Sequence, residues 1–222
     1  MDKFIEKNPD LKFITIENDR NYYYCTPDKL VIENLLSPLH KLILISMKYP
    51  DVIEIIREYI RSNENCLLAR TEPAGWTPLM VACINAGTRV HSDVIDIILE
   101  NMGNVNDFDN FGSNILNNAC KYLSFVGSEL IIKLINWGAN GNHSDNFQMN
   151  SLMSACFYYD FKMNRIDLYH VSEALLKRGL YINQRNNNGM TVLGIYLIKN
   201  EKEGIYNEDQ LTKLYKLYGG IV

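Results

Sequence analysis

The chain of 222 residues carries 22 Lys and Arg against 26 Asp and Glu, a formal net charge of −4, and is 47% hydrophobic. That apolar share can bury a sizeable core, while the acidic balance and the lack of any Lys/Arg run argue against a nucleic-acid binder. The five cysteines are odd in number and widely spaced, no apolar run approaches the ~20 residues that span a bilayer, and residues 1–7 alternate charge with apolar side chains where a secretory leader would be continuously apolar. The expectation is a soluble, intracellular, cytoplasmic protein with no membrane segment and no disulfide framework.

Residues 1–30 stand apart from the rest of the chain. Leu11-Lys12-Phe13-Ile14-Thr15-Ile16 alternates like a short strand, and the aromatic run Tyr22-Tyr23-Tyr24 comes next. Two readings stand: an N-terminal capping segment that shields the first apolar face of a stack, or a loosely attached binding strand.

From residue 31 to residue 222 the chain repeats itself. Ser37-Pro38-Leu39-His40, Thr77-Pro78-Leu79-Met80, Asn114-Ile115-Leu116-Asn117, Asn150-Ser151-Leu152-Met153 and Thr191-Val192-Leu193-Gly194 resemble one another, and their leucines step by 40, 37, 36 and 41 residues. Each opens on a residue whose side-chain oxygen can cap a helix, and Pro38 and Pro78 follow where a missing N–H costs nothing. Ala82-Cys83, Ala119-Cys120 and Ala155-Cys156 place small residues at a matched helical position, which lets neighbouring helices approach closely.

A second helix is predicted in each unit. Asp51 opens the first, with Val52, Ile53, Ile56, Tyr59 and Ile60 at helical spacing, and Ser92 caps the next, with Val94, Ile95, Ile98 and Leu99. Leu130, Ile131, Leu134 and Ile135 mark the third; Leu168, Val171, Ala174 and Leu175 the fourth; Leu211, Leu214 and Leu217 the last. Gly138, Gly179 and Gly219 stand where a left-handed residue ends a helix, and Asn65 holds that place in the first unit.

The pattern resembles the ankyrin repeat, a unit of about 33 residues with a TPLH-type start and a helix–loop–helix–hairpin build. Gly75-Trp76-Thr77-Pro78-Leu79-Met80-Val81-Ala82-Cys83 matches it best. The hairpin interval is constant: Asn106 to Gly112, Asn142 to Gln148, Asn183 to Gly189 and Ala69 to Gly75 each span 6 residues. A tetratricopeptide array has no hairpin and leaves that interval unexplained. The resemblance implies an all-α ankyrin-repeat solenoid of about five helix–loop–helix units joined by short β-hairpin loops, residues 31–222, behind the N-terminal cap segment. The units exceed the family period by 3 to 8 residues, an excess that must lie in or between the helices. Met102 and Gly103 shift one glycine by a place, Gln148 replaces another, and Gly194 replaces the helix-one histidine that His40 retains. In style the long, Asn- and Tyr-rich units resemble ankyrin proteins encoded by large DNA viruses of amoebae.

No phosphate loop, dinucleotide fingerprint or zinc-hydrolase motif occurs in the chain, so neither a cofactor nor catalysis is expected. Cys83, Cys120 and Cys156 share one slot in successive units and read as core, since stacking keeps them too far apart for a common metal. The resemblance implies partner binding through hairpin tips and inner helices. The candidates are Thr71, Glu72 and Pro73; Asp107, Phe108, Asn110 and Phe111; His143, Ser144, Asn146 and Phe147; and Gln184, Arg185 and Asn187. Asp109 and Asp145 read as turn formers. Tyr158 and Tyr159, within Phe157-Tyr158-Tyr159-Asp160-Phe161, either form an aromatic contact patch or fill a lengthened helix pair. The expected partner is another protein, a host protein in a viral setting, engaged by a monomer in the host cytoplasm. The alternative is a scaffold or virion component that self-associates.

Overall fold

The structure, a computed structural model, describes residues 36–63, 65–102, 104–160, 165–204 and 209–222. The N-terminal capping segment, Gly103, Phe161 and Glu208 lie outside them. The chain divides into two compact units, Met1–Met102 and Gly103–Val222.

The first unit holds α1 (Pro38–Ile45), α2 (Val52–Ser62), a short 3-10 turn (Cys66–Leu68), α3 (Pro78–Ile84) and α4 (Ser92–Asn101). The helix starts obey the capping logic: Ser37 Oγ accepts from the His40 amide and Thr77 Oγ1 from the Met80 amide, each ahead of a proline. α1 packs on α3 and α2 on α4, so like helices stack on like. Leu39, Ile43, Val52, Ile56, Ala82, Cys83, Val94 and Ile98 are fully buried between them. Each such Leu or Ile contributes about 1.5–3 kcal/mol. The interhelical loops are also joined, since the Met47 amide donates to the Arg89 carbonyl and the His91 amide to Ser46 Oγ.

The second unit holds α5 (Ile115–Lys121), α6 (Leu123–Asn136), α7 (Ser151–Tyr158), α8 (Ile166–Lys177), α9 (Val192–Lys202) and α10 (Gln210–Leu217). Here α5, α7 and α9 form one row and α6, α8 and α10 the other. Asn114, Asn150 and Thr191 cap the first row, accepting from Asn117, Met153 and Gly194 amides. The first-row helices begin with a near-continuous buried run, Ile115 to Cys120 in α5 and Ser151 to Cys156 in α7. Among the described residues no strand is present, and the stacked helix pairs make the fold an all-α repeat solenoid. The hairpins are tight turns, and extended pairing is limited to isolated bridges such as Phe108 with Asn114.

Several local expectations are corrected. Asn65 has φ −101°, outside the left-handed region. His91, not Ser92, caps α4, its Nδ1 accepting from the Asp93 amide, because Ser92 is already the first helical residue. Leu217 is 80% exposed, and Tyr215 takes the core place, because the buried face of α10 runs through Leu211, Thr212, Leu214 and Tyr215. The excess length of the units does lie between the paired helices. In the third pair it is absorbed by a break at Gly127, φ +77°, inside α6. The lengthened joints of the third and fourth pairs are tied by Asp160, whose amide donates to Ser124 Oγ, and by Asp167, which accepts from Ser128.

The aligned turn position is left-handed in four described turns: Gly75, Gly112, Gln148 and Gly189 have φ of 72°, 72°, 58° and 73°. Gln148 therefore adopts a backbone that favours glycine. Gln148→Gly should raise stability by about 0.5–1 kcal/mol, whereas Gly112→Ala, whose Cβ would stand 2.5 Å from Asn146 Oδ1, should lower it by about 1–2 kcal/mol. Urea unfolding of both variants checks this.

His40 is enclosed in the first unit, with Ser37 Oγ 2.8 Å from Nδ1 and the other side of the ring turned toward the Trp76 and Thr77 backbone. Burial dominates and lowers its pKa from 6.5 to about 4, against the favourable backbone carbonyls. The unfolded chain thus takes up a proton below about pH 6.5 that the folded chain refuses until about pH 4. Stability should fall as pH drops through that window, by up to about 3 kcal/mol, and stay level above it. In a Trp137→Phe background, Trp76 fluorescence during urea unfolding should show this slope, and His40→Gln should abolish it.

Candidate protein-binding face

Three aligned turns organise the exposed edge of the second unit. Each begins with an asparagine whose side chain grips the next helix pair. Asn106 Nδ2 donates to the Gly138 carbonyl and its Oδ1 accepts from the Asn140 amide, at 3.1 and 2.7 Å. Asn142 does the same to Gly179 and Tyr181, at 3.1 and 2.7 Å, and Asn183 to Gly219 and Ile221, at 2.9 Å each. Gly138, Gly179 and Gly219 are left-handed, φ 90°, 81° and 78°, and each turns the chain out of its second helix. The amide clamp satisfies the backbone groups released there. Sequence reasoning missed this role; the constant interval of 6 residues from Asn106, Asn142 and Asn183 to Gly112, Gln148 and Gly189 was the available signal.

A second set shapes each turn from within. Asp109 Oδ1 accepts from the amides of Phe111 and Ser113, Asp145 Oδ1 from Phe147 and Met149, and Asn186 Oδ1 from Asn188 and Met190, all at 2.9–3.0 Å. Asp109 and Asp145 are buried and serve as turn formers. Lys121 balances part of their charge, 3.6 Å from Asp145 Oδ2.

A third set joins the tips. The Asn146 amide donates to the Phe111 carbonyl and the Asn187 amide to the Phe147 carbonyl, at 3.0 and 3.1 Å. His143 and Gln184 hold equivalent places and do equivalent work. His143 Nε2 lies 2.7 Å from the Gly112 carbonyl, and Gln184 Nε2 donates to the Gln148 carbonyl at 3.2 Å and to Ser144 Oγ. Both reach back to the left-handed residue of the preceding turn. Their donors are thus committed within the fold, which qualifies their reading as contact residues. The His143 ring is stacked on Phe108, centroids 6.1 Å apart and planes at 16°.

What projects outward is an apolar and amide edge. Phe108 and Phe147 are 55% and 56% exposed, and Asn110, Asn146, Asn187 and Arg185 are exposed beside them. Phe111 and Asp107 are half-buried. Asn187 Nδ2 donates to the Asn146 carbonyl, and Arg185 Nη1 to the Gly189 carbonyl of its own turn. In the first unit Glu72 is exposed, but Thr71 is buried, its Oγ1 accepting from the Trp76 amide.

Tyr158 is half-exposed at the end of α7, edge-on to Phe157 at 5.0 Å. Tyr159 is corrected: it is 1% exposed and fills the lengthened fourth pair, so it offers no contact surface. Lys199, which sequence spacing did not single out, donates from Nζ to the carbonyls of Phe157 and Tyr159 and closes the C-terminus of α7 from the next unit.

Cys83, Cys120 and Cys156 are fully buried. Burial, only partly offset by Tyr215 and Lys199, pushes the Cys156 thiol up to about 12, so it stays protonated. Its Sγ lies 3.2 Å from Tyr215 Oη, which meets Ser172 Oγ at 2.8 Å, a buried polar chain linking α7, α8 and α10. Among the described residues no three His, Cys, Asp or Glu side chains gather as a metal site, and no helix is long and apolar enough to cross a membrane.

Stacked helix pairs, capped starts and clamped turns agree with a family likeness of the chain. The ankyrin repeat family matches residues 74–110, which supports reading the chain as an ankyrin-repeat protein. Ankyrin repeats generally mediate protein–protein interaction and are typically non-enzymatic. No curated protein matches the chain.

Because Asn142 alone supplies two bonds between the third and fourth helix pairs, Asn142→Ala should cost about 1–2 kcal/mol. Urea unfolding monitored by circular dichroism should show the loss, with helix content before the transition unchanged.

Proposed function

We propose that this chain is a protein–protein interaction module that holds a partner along the turn tips of its second unit. The observation that carries this reading is the pair of exposed phenylalanines, Phe108 and Phe147, on turns whose backbones are bonded to their neighbours. Turns held this way lose little conformational entropy on binding, and exposed aromatics supply contact area at low cost. Asn110, Asn146 and Asn187 add amide donors and acceptors next to them, and Asp107, Phe111, Arg185 and Tyr158 complete the candidate set of the second unit; Glu72, in the first unit, is a separate candidate.

The partner is a host protein, met in the cytoplasm by a monomer of this chain. The viral setting rests on the likeness of the long, Asn-rich units to those of large DNA viruses of amoebae. Neither nucleic acid nor membrane is part of the reading.

Affinity capture from host-cell lysate tests it. The double variant Phe108→Ala, Phe147→Ala should keep its thermal midpoint, since both rings are exposed, while partner recovery falls about tenfold or more. Unchanged recovery rejects this face. Sedimentation at several concentrations should return a monomer; growth with concentration would favour a self-associating scaffold.

A further inference from the structure

The residue just before each left-handed glycine occupies the same register in three successive pairs of the second unit. These residues are Trp137, Arg178 and Tyr218, which close α6, α8 and α10. Stacked pairs set them in a row, spaced by about the 8–10 Å of neighbouring helices. All three are exposed, Trp137 at 46% and Tyr218 at 38%. Tyr181, two residues beyond Gly179, is 69% exposed beside them. This row belongs to the ends of the second-row helices and shares no residue with the turn tips.

Its electrostatics are one-sided. Arg178 Nη2 donates to Asn136 Oδ1 at 3.0 Å, a neutral amide, and no carboxylate among the described residues pairs with it. Lys177, the neighbour of Arg178 in sequence, is exposed and lies near Tyr218. Glu173, which bonds Lys177 at 3.0 Å, is the acidic counterpart on this face. Beside the row, Arg178 stands over a cavity of about 200 Å³ between the third and fourth pairs, floored by Ile135, Leu175 and Leu180. Trp, Tyr and Arg are the residue types that dominate interface energetics. An aromatic row with one surplus cation, Arg178, and a recess that has an aliphatic floor selects a ligand of opposite charge carrying an apolar side chain.

We propose that this row is a second docking surface, and that its occupant is an acidic protein segment with aromatic or aliphatic anchors. A carboxylate pairs with the Arg178 guanidinium in a bidentate fork, and Lys177 beside it supplies further positive charge. An apolar side chain enters the recess over Leu175 and Leu180 while its neighbours lie against Trp137 and Tyr218. The surface is independent of the Phe108–Phe147 edge, so either can fail without the other.

The test is fluorescence anisotropy on the full chain. The probe is a fluorescein-labelled peptide alternating Asp or Glu with Phe or Leu. A matched peptide with Lys in place of the acids and an oligothymidylate serve as competitors. Saturable binding of the acidic peptide is expected, weakening with salt, and about tenfold or more weaker in Arg178→Glu and in Trp137→Ala. Phe108→Ala with Phe147→Ala should leave it unchanged. Thermal unfolding accompanies each variant; should Arg178→Glu lose its fold through Asn136, Lys177→Glu replaces it. The proposal is overturned by any of four results: no saturable binding, equal binding by the folded variants, preference for the oligothymidylate or the basic peptide, or loss of binding on the phenylalanine changes instead.

Discussion

Everything in the second unit depends on how a helix ends. A left-handed glycine turns the chain out of each second helix and leaves a carbonyl and, two residues on, an amide with no partner inside their own pair. An asparagine from the preceding turn takes both with one side chain. No other neutral side chain of that length offers a donor and an acceptor side by side. The clamp therefore sets the register between pairs, and the turn that carries it is held at the same height in each unit. The buried Asp109, Asp145 and Asn186 then shape the turns, and tip-to-tip backbone bonds result from that alignment.

Apolar burial and polar satisfaction divide the work. The helix rows share the apolar face, with the alanine–cysteine pairs fully buried within it. Asparagines enclosed at the helix starts of the second unit are answered by partners. Asn114 and Asn150 cap their own helices and donate to the chain where it leaves their own pair, at the Asn140 and Tyr181 carbonyls, and Asn117 donates to the Met149 carbonyl. A buried amide left without such partners would cost more than any one of these bonds returns. That asymmetry explains why asparagine, a poor helix former, recurs at enclosed positions here.

The extra residues of the units do not disturb this frame because they fall on the opposite side, between the paired helices. There Arg165 and Tyr196 both bond the Asp209 carboxylate. Burial is the largest influence on Asp209 and opposes its charge. Bonds from Tyr196 and Thr212, with the Arg165 charge, outweigh it and hold the carboxyl below its usual range. The lengthened fourth and fifth pairs are thereby tied to each other by a charged cluster.

Much of this was legible in the chain itself. Helix starts at Ser37, Thr77, Asn114, Asn150 and Thr191, the left-handed glycines and the turn-forming Asp109 and Asp145 are decided by local chemistry, because capping and backbone handedness act within three or four residues. What needed the tertiary structure is whatever a side chain does in the neighbouring unit. Nothing local separates His143 and Gln184, which reach back to the preceding turn, from Phe108 and Phe147, which project outward. Nor does it separate Tyr158 from Tyr159, adjacent in sequence and opposite in burial. Local pattern determined the repeat and its joints; stacking alone decided which side chains the next unit consumes and which remain for a partner.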